Sequence, residues 1–505
     1  MSRQDLPGQP TRRTLLKAAG IGIGAAAFSA AGYTRASADV SALAAHPGLL
    51  HTSADFDRMR DRVNAGAQPW KAGWDRLVAN SHSQSGWTPH PVATVIRGGT
   101  GENYTSLYND IAAAYQNALR WKISGNTANG DTARDILNAW SGTLTTVTGN
   151  ADRFLAAGIY GYEFANAAEI MRGYSGFDLG RFQTMMLNVF YPLNNQFLTG
   201  HNGACITNYW ANWDLCNMNS ILAIGILCDD QAKIDQAINY FKTGAGNGSI
   251  LHAIPFLHPG GLAQWQESGR DQGHTMMGMG QIGTFCEMAW NQGLDLYGYS
   301  SNRIIQACEY VAKYNLGQSV PFTTYTWGTG QNCAQQQQTV ISADSRGQDR
   351  PVWALLHAHY AGRQGLIVPN VTSYMIRVRP EGGGGDYGST SGGYDQLGLG
   401  TLTATQVSPA IVSGGIYKLV SELSGKALDN GNVTTDGTSA IQWTDNGGTP
   451  QRWRITDVGD GAYKLICQQS GKALDNGNVT TDGAKAIQWT DNGGAQQRWR
   501  ITKIG

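Results

Sequence analysis

Ser424–Gly437 and Ser470–Gly483 are one stretch, SGKALDNGNVTTDG, written twice at a spacing of 46 residues. Ile441-Gln442-Trp443 returns as Ile487-Gln488-Trp489, and Gln451-Arg452-Trp453-Arg454-Ile455 as Gln497-Arg498-Trp499-Arg500-Ile501. A unit this short cannot enclose a core by itself, so the copies must pack on one another. Short apolar runs separated by Asn-Gly and Asp-Gly turns predict an all-β segment. Tyr417–Ile455 and Tyr463–Ile501 are the two good copies. Residues 413–505 are therefore expected to form a small β domain, joined through a linker at 403–412.

A QRW-terminated unit with Leu-Asp near its start resembles the ricin-type β-trefoil lectin repeat. The resemblance implies one sugar pocket per unit, walled by an aromatic ring and gripped by Asp and Asn. These residues would be Asp429, Trp443 and Asn446, then Asp475, Trp489 and Asn492. Trp453 and Trp499 take core positions in that family. A trefoil closes on three units, and two are recognisable here.

The N-terminus carries Arg12-Arg13, an Ala/Gly-rich apolar stretch from Ala18 to Gly32, and Ala36-Ser37-Ala38. Twin arginine, short apolar region and A-x-A site read as a Tat export signal over residues 1–38, predicting a secreted protein. The stretch is too short and Gly-rich for a membrane anchor of roughly 20 apolar residues. Lys+Arg and Asp+Glu both total 37, so neither nucleic acid nor an anionic membrane is indicated as a partner. Fifteen Trp suit either stacking on sugar rings or a large core. Cys205, Cys216, Cys228, Cys286, Cys308, Cys333 and Cys467 include no C-x-x-C, which leaves room for one or two disulfides but supports no zinc site.

From residue 39 to about 402 the period changes to 3.6. Helices are predicted over 111–124, 131–144, 153–172, 180–189, 212–228, 231–243, 274–292, 301–314 and 352–361. Antiparallel helices in series, without β-α alternation, read as an all-α toroid or solenoid. P-loop, GxGxxG, HExxH and GxSxG motifs are absent, and no cofactor or metal is expected. His357-Ala358-His359 is no metal pair, because H-x-H on a helix splays its side chains. In a hairpin array the starts of alternate helices share one end with the loop after each returning helix. Asn212, Arg270, His274 and Tyr325 should meet there; Tyr297, roughly 35–40 Å further along, should not.

Gln266–Thr275 reads QESGRDQGHT. Glu267, Arg270 and His274 at i, i+3 and i+7 share a helical face, which in isolation suits a surface ion-pair stripe. Trp265, Gln266, Gln272, Gln281 and three Met residues nearby suit a cleft lining instead. Together with ANWDLC (211–216), AWNQGLDLY (289–297) and RPEGGGGDYG (379–388), this segment resembles the alginate-lyase-like polysaccharide lyases. The resemblance implies an α/α toroid (incomplete barrel), an anionic polysaccharide substrate such as alginate or glucuronan, and β-elimination without a metal. In the best-known branch an Asn-His pair precedes the Arg; here Trp213 follows Asn212, so His274 supplies the imidazole from another helix.

A C5 proton beside an ionised carboxylate is a very weak acid, and cations or donors must offset the charge. Asn212 and Arg270 suit that task. His274 and a tyrosine move protons, the tyrosine's pKa being lowered by a neighbouring cation. Helix direction selects Tyr325, with Tyr209, Tyr360 and Tyr387 as substitutes. Trp213, Trp265, Gln266, Glu267 and Gln272 are the expected substrate-binding residues. An inverting glycoside hydrolase is the alternative and needs carboxyl groups about 6.5–9.5 Å apart, for which Glu267 or Asp271 with Asp214 would serve. A third reading is a catalytically dead toroid whose tail binds carbohydrate.

Overall fold

The computed structural model describes residues 44–329, 333–406, 411–421, 423–459 and 462–501; the export signal read at 1–38 lies outside them. Two helices, α1 (Ser53–Asn64) and α2 (Trp70–Ala79), and a parallel pair of short strands, β1 (Thr94–Ile96) and β2 (Thr146–Thr148), precede and flank the first hairpin, α3 (Tyr104–Ser124) with α4 (Thr127–Thr143). The next outward helix is continuous: α5 (Arg153–Leu155), a π turn over Ala156–Tyr160, and α6 (Gly161–Ile170). Its return is α7 (Leu179–Met185), a second π turn and α8 (Tyr191–Gly200). Then come α9 (Ala211–Leu227), α10 (Gln231–Thr243), the short α11 (Ile250–Ala253), α12 (Gln272–Asn291) and α13 (Tyr299–Asn315). The last helices are α14 (Trp353–His357), which runs into a third π turn, α15 (Pro369–Val378) and α16 (Gly400–Thr403).

Local chemistry sets these boundaries. Thr52 and Asp55 form a capping box on α1, Gly125 ends α3 in the left-handed region, and Asp230 and Asp271 cap α10 and α12. The neighbours α3–α6, α6–α9 and α9–α12 pack side by side, with α4, α8 and α10 returning outside them. Such alternation leaves α3, α6, α9 and α12 parallel, with their N-termini at one end. Tight packing needs small residues: a methyl added at Gly161 would sit 2.1 Å from Ser220 Oγ on α9.

The Gly-rich segment after α15 fills the toroid rather than looping outside it. Glu381 is fully buried and accepts the N–H groups of Trp353 and Ala354 at 2.8 Å each, capping α14. Gly384 lies against Ala112 of α3, where an added methyl would meet the Ala112 methyl at 2.9 Å.

The helical domain is not purely α. Two hairpins, β3 (Phe256–His258) with β4 (Leu262–Gln264) and β5 (Tyr325–Thr329) with β6 (Ala334–Gln338), lie between its helices. A disulfide joins Cys205, just ahead of α9, to Cys333 at the tip of the second hairpin.

The tail is all β, from β7 (Gly415–Tyr417), β8 (Ala427–Asp429), β9 (Ile441–Trp443) and β10 (Trp453–Asp457) to β11 (Ala462–Cys467), β12 (Ala473–Asp475), β13 (Ile487–Trp489) and β14 (Trp499–Arg500). Trp453, Ile455, Leu465, Cys467 and Leu474 form its core, and the Trp453 and Trp499 indoles donate to Leu428 and Leu474 carbonyls.

Candidate active site

Asp271 accepts the His274 N–H at 2.8 Å with one carboxylate oxygen and His274 Nδ1 at 2.7 Å with the other. The network thus assigns the proton to Nδ1 and leaves Nε2 to accept from Arg270 Nη2 at 3.1 Å. Arg270 also reaches Glu267 at 2.9 Å and lies over the Trp210 ring at 5.0 Å. Glu267 in turn accepts Asn212 Nδ2 at 2.6 Å. Burial pushes the Glu267 carboxyl above the usual range, opposed by Arg270, His274 and Asn212. Asp271 is driven up by burial, but the His274 hydrogen bonds and the neighbouring cations prevail and hold it below its ordinary value. One chain of contacts therefore links the starts of α9 and α12, with His274 (42 % exposed) and Arg270 (24 %) as its open members.

Tyr325 lies on β5 beside Gln266 and within the field of Glu267. Its hydroxyl donates to Asn247 Oδ1 at 3.1 Å, and Asn247 donates to the Tyr209 carbonyl at 2.7 Å. The expected cation is not what tunes this phenol: burial pushes it up to about 12. Near neutrality it stays protonated and can give a proton but not take one. Tyr297 is buried, donates to the Gly283 carbonyl and stacks on His359 at 3.8 Å between rings. Tyr360 is equally buried, its hydroxyl on the Tyr297 carbonyl, while the Tyr387 hydroxyl accepts the Gly382 N–H. Tyr209 packs edge-on to Phe197 and against Trp213.

Several expected ligand contacts must be corrected. Asn212 is 1 % exposed and its amide is committed to Glu267, so it braces that carboxylate instead of meeting a substrate. Glu267, Trp265, Gln266 and Gln272 are as deeply buried. Trp265 packs on Gly278 of α12, Gln266 accepts the Ala211 N–H, and Gln272 ties Ser268, Ser342 and Asn315 together. Trp213 alone of that set keeps a partly open ring, stacked on Phe197. Asp214 is also sealed, bonded to His201, Tyr240 and the Gly248 N–H, so the carboxyl pairs a hydrolase would use do not face solvent together. Among the described residues no His, Cys, Asp or Glu cluster is built to hold a metal, and no helix is long and apolar enough to cross a membrane.

Two toroid residues escaped the sequence reading. Asp271 was taken only as a possible hydrolase carboxyl, although an acidic residue three positions before His274 at a helix start announces both a cap and an imidazole partner. Arg97, following β1, lies beside the stacked rings of Tyr104 and Tyr160, with its guanidinium carbon 5.1 and 5.5 Å from their centres. It donates to the Tyr160 hydroxyl and has no carboxylate at ion-pair distance among the described residues. Nothing in its sequence context marks it.

In the tail the two expected pockets are built alike. Gln451 donates to Asp429 at 3.0 Å and accepts the Asn446 N–H at 3.0 Å; Gln497 does the same for Asp475 and Asn492 at 3.0 and 2.9 Å. The Gln of QRW is thus the strut that holds Asp and Asn together, a role not read from the repeat. Trp443 and Trp489 stand exposed beside them.

Residues 89–321 match the alginate lyase family, and residues 406–489 and 460–505 match the ricin-type β-trefoil lectin domain-like family. No curated protein matches the chain. Among solved structures, a designed three-fold symmetric protein, ThreeFoil, is 50 % identical over 18 % of this chain and 66 % of its own, with a TM-score of 0.18. An exo-β-1,3-galactanase from Clostridium thermocellum is 43 % identical over 18 % of this chain and 20 % of its own, with a TM-score of 0.17. The chain thus spans just under two thirds of the first and a fifth of the second. Alginate lyase A1-III from Sphingomonas species A1 is 15 % identical over 73 % of this chain and 99 % of its own, with a TM-score of 0.46.

Proposed function

We propose that this chain, whose residues 89–321 belong to the alginate lyase family of polysaccharide lyases and whose tail is a ricin-type β-trefoil lectin-like domain, cleaves a 4-linked uronate polymer by β-elimination. The observation that carries the reading is the Asp271–His274–Arg270 chain at the open end of α12. Arg270 exchanges its bond to His274 for the substrate carboxylate, which offsets the charge that builds there and frees Nε2. His274 Nε2 takes the C5 proton; the C5–H electrons form the C4–C5 double bond, and the C4–O bond breaks. Tyr325, protonated at neutral pH, supplies the proton to the departing oxygen, and its phenolate regains one as the His274 imidazolium gives up its own through solvent. Arg97, lacking a carboxylate at ion-pair distance among the described residues, suits a second uronate along the cleft.

A panel of purified alginate, glucuronan and neutral glycans tests the assignment. A lyase releases ultraviolet-absorbing unsaturated uronate. Hydrolysis of neutral glycans with every uronate polymer intact would put a glycosidase in its place. The tail is assigned sugar binding that retains the enzyme near its substrate, so removal of residues 413–505 leaves turnover of short soluble oligosaccharides nearly unchanged. Loss of that turnover in a folded truncate would refute the division of labour. Export by the twin-arginine route is part of the same proposal: replacing Arg12 and Arg13 by Lys should hold the protein in the cytoplasm.

A further inference from the structure

The two tail pockets are identical in sequence but not in what stands behind them. The strand carrying the second aromatic, β13, is clamped by the first repeat: Gln488 N–H donates to the Thr438 carbonyl at 2.8 Å, its carbonyl accepts the Gly437 N–H at 2.9 Å, and Ala440 N–H reaches the Ala486 carbonyl at 3.0 Å. Side chains add to the clamp. Asp436 accepts the Thr490 N–H at 2.7 Å and its hydroxyl at 2.9 Å, and pairs with Lys472 at 2.7 Å. Gln488 is buried with its amide on the Val433 carbonyl, and the Trp489 ring lies against Gly437.

The first pocket has no counterpart to this support among the described residues. Ile441, Gln442 and Trp443 of β9 are all exposed, and among the described residues β9 pairs only with β8. Trp443 is 57 % exposed against 41 % for Trp489. A two-stranded ribbon open on one edge is marginal by itself. A ring mounted on it must be ordered when a sugar stacks on it, whereas a ring on a clamped strand is already in place.

We propose that the pockets are unequal, with Asp475, Trp489 and Asn492 forming the principal sugar site and Asp429, Trp443 and Asn446 an auxiliary one. Asp436 is the positioning residue that makes the difference. This rests on the sugar-binding reading of the tail.

The full-length protein is titrated calorimetrically with galactose and with alginate oligosaccharide. Both indoles are exposed, so Trp443→Ala and Trp489→Ala keep the fold, checked by circular dichroism. Trp489→Ala should weaken binding at least about tenfold and Trp443→Ala less than about threefold. Asp436→Ala, which touches no sugar, should weaken binding roughly threefold or more by releasing β13, while Asp482→Ala, its sequence equivalent in the second repeat, should change nothing. Equal losses from the two tryptophans, or from the two aspartates, overturn the inequality while leaving sugar binding intact. Wild-type protein that binds neither probe overturns the lectin reading itself, and the proposal with it.

Discussion

Replacing Asp271 by Asn asks one residue to do with one oxygen what it does with two. The wild-type carboxylate accepts the His274 N–H at 2.8 Å and Nδ1–H at 2.7 Å. Asn is as good a cap as Asp, so its oxygen keeps the backbone bond and α12 keeps its start. Its NH2 then faces Nδ1, which must become an acceptor, and the proton moves to Nε2. There it meets the Arg270 N–H that now sits at 3.1 Å, donor against donor, and the ring must turn away. Stability changes little, by about 0.3–1 kcal/mol for the lost charge at a helix N-terminus. Because the Asp271 pKa is depressed in the folded protein, its contribution is present above the ordinary value of 3.8 and lost as pH falls through the lower folded value. The stability gap between variant and wild type should therefore close in acid. Turnover should fall about 10²–10⁴-fold with little change in KM, since the base is lost but the carboxylate anchor stays. The assay is unsaturated uronate release under saturating substrate, beside a thermal melt. A folded Asp271→Asn enzyme within about threefold of wild-type kcat would refute the assignment of His274 Nε2 as the base.

Three further outcomes follow from the same geometry. Tyr325→Phe should lower kcat roughly 10²–10⁴-fold, whereas Tyr297→Phe should lower the melting temperature without altering kcat, since its hydroxyl serves only the Gly283 carbonyl and Glu287; near-normal turnover in Tyr325→Phe with none in His274→Ala would move the acid role elsewhere. The alkaline limb of kcat should not fall near pH 8–9 on account of Tyr325, whose phenol is pushed up to about 12, and a limb there that vanished in Tyr325→Phe would contradict its burial. Arg97→Met, which keeps bulk beside Tyr104 and Tyr160, should raise KM for long polymer about tenfold and leave kcat within about threefold; an unchanged KM would remove Arg97 from the substrate path.

Helix order was legible because periodicity and caps agreed: 231–243 matches α10 at both ends, and 212–228 and 274–292 fall within two residues of α9 and α12. Misses occurred where local signals conflicted. The returning helix from Leu179 extends past the predicted end at Val189, since a π turn at Met186–Phe190 carries the chain on into α8 with Pro192 in its first turn. Ser53–Asn64 was overlooked although Thr52 and Asp55 spell a capping box. In the site, Glu267, Arg270 and His274 do meet, though not on one helical face: only His274 lies on α12, and Glu267 and Arg270 come from the turn ahead of its Asp271 cap, while hairpin direction added Asn212 and Tyr325. Burial is what spacing could not supply. Residue type says that Trp265, Gln266 and Gln272 can touch sugar; only the packing of Gly278 and the carbonyls of Ser268 and Ser342 turns them inward. Arg97 is invisible in sequence because one of its ring partners, Tyr160, comes from the π turn of the next outward helix.

The Cys205–Cys333 bond closes a ring of chain spanning 128 positions, and Asn212, Arg270, Asp271, His274 and Tyr325 all lie within it. In the unfolded chain such a closure removes loop entropy of about 5 kcal/mol. It also changes what a single backbone cut can do. A protease that nicks an exposed turn inside the ring, such as Gly260-Gly261 between β3 and β4, leaves both fragments covalently joined. The severed wall can then re-form as an intramolecular event at high effective concentration, where an unbridged chain would lose half of its site by diffusion. The ring thus converts a cut that would otherwise split the site into a repairable one.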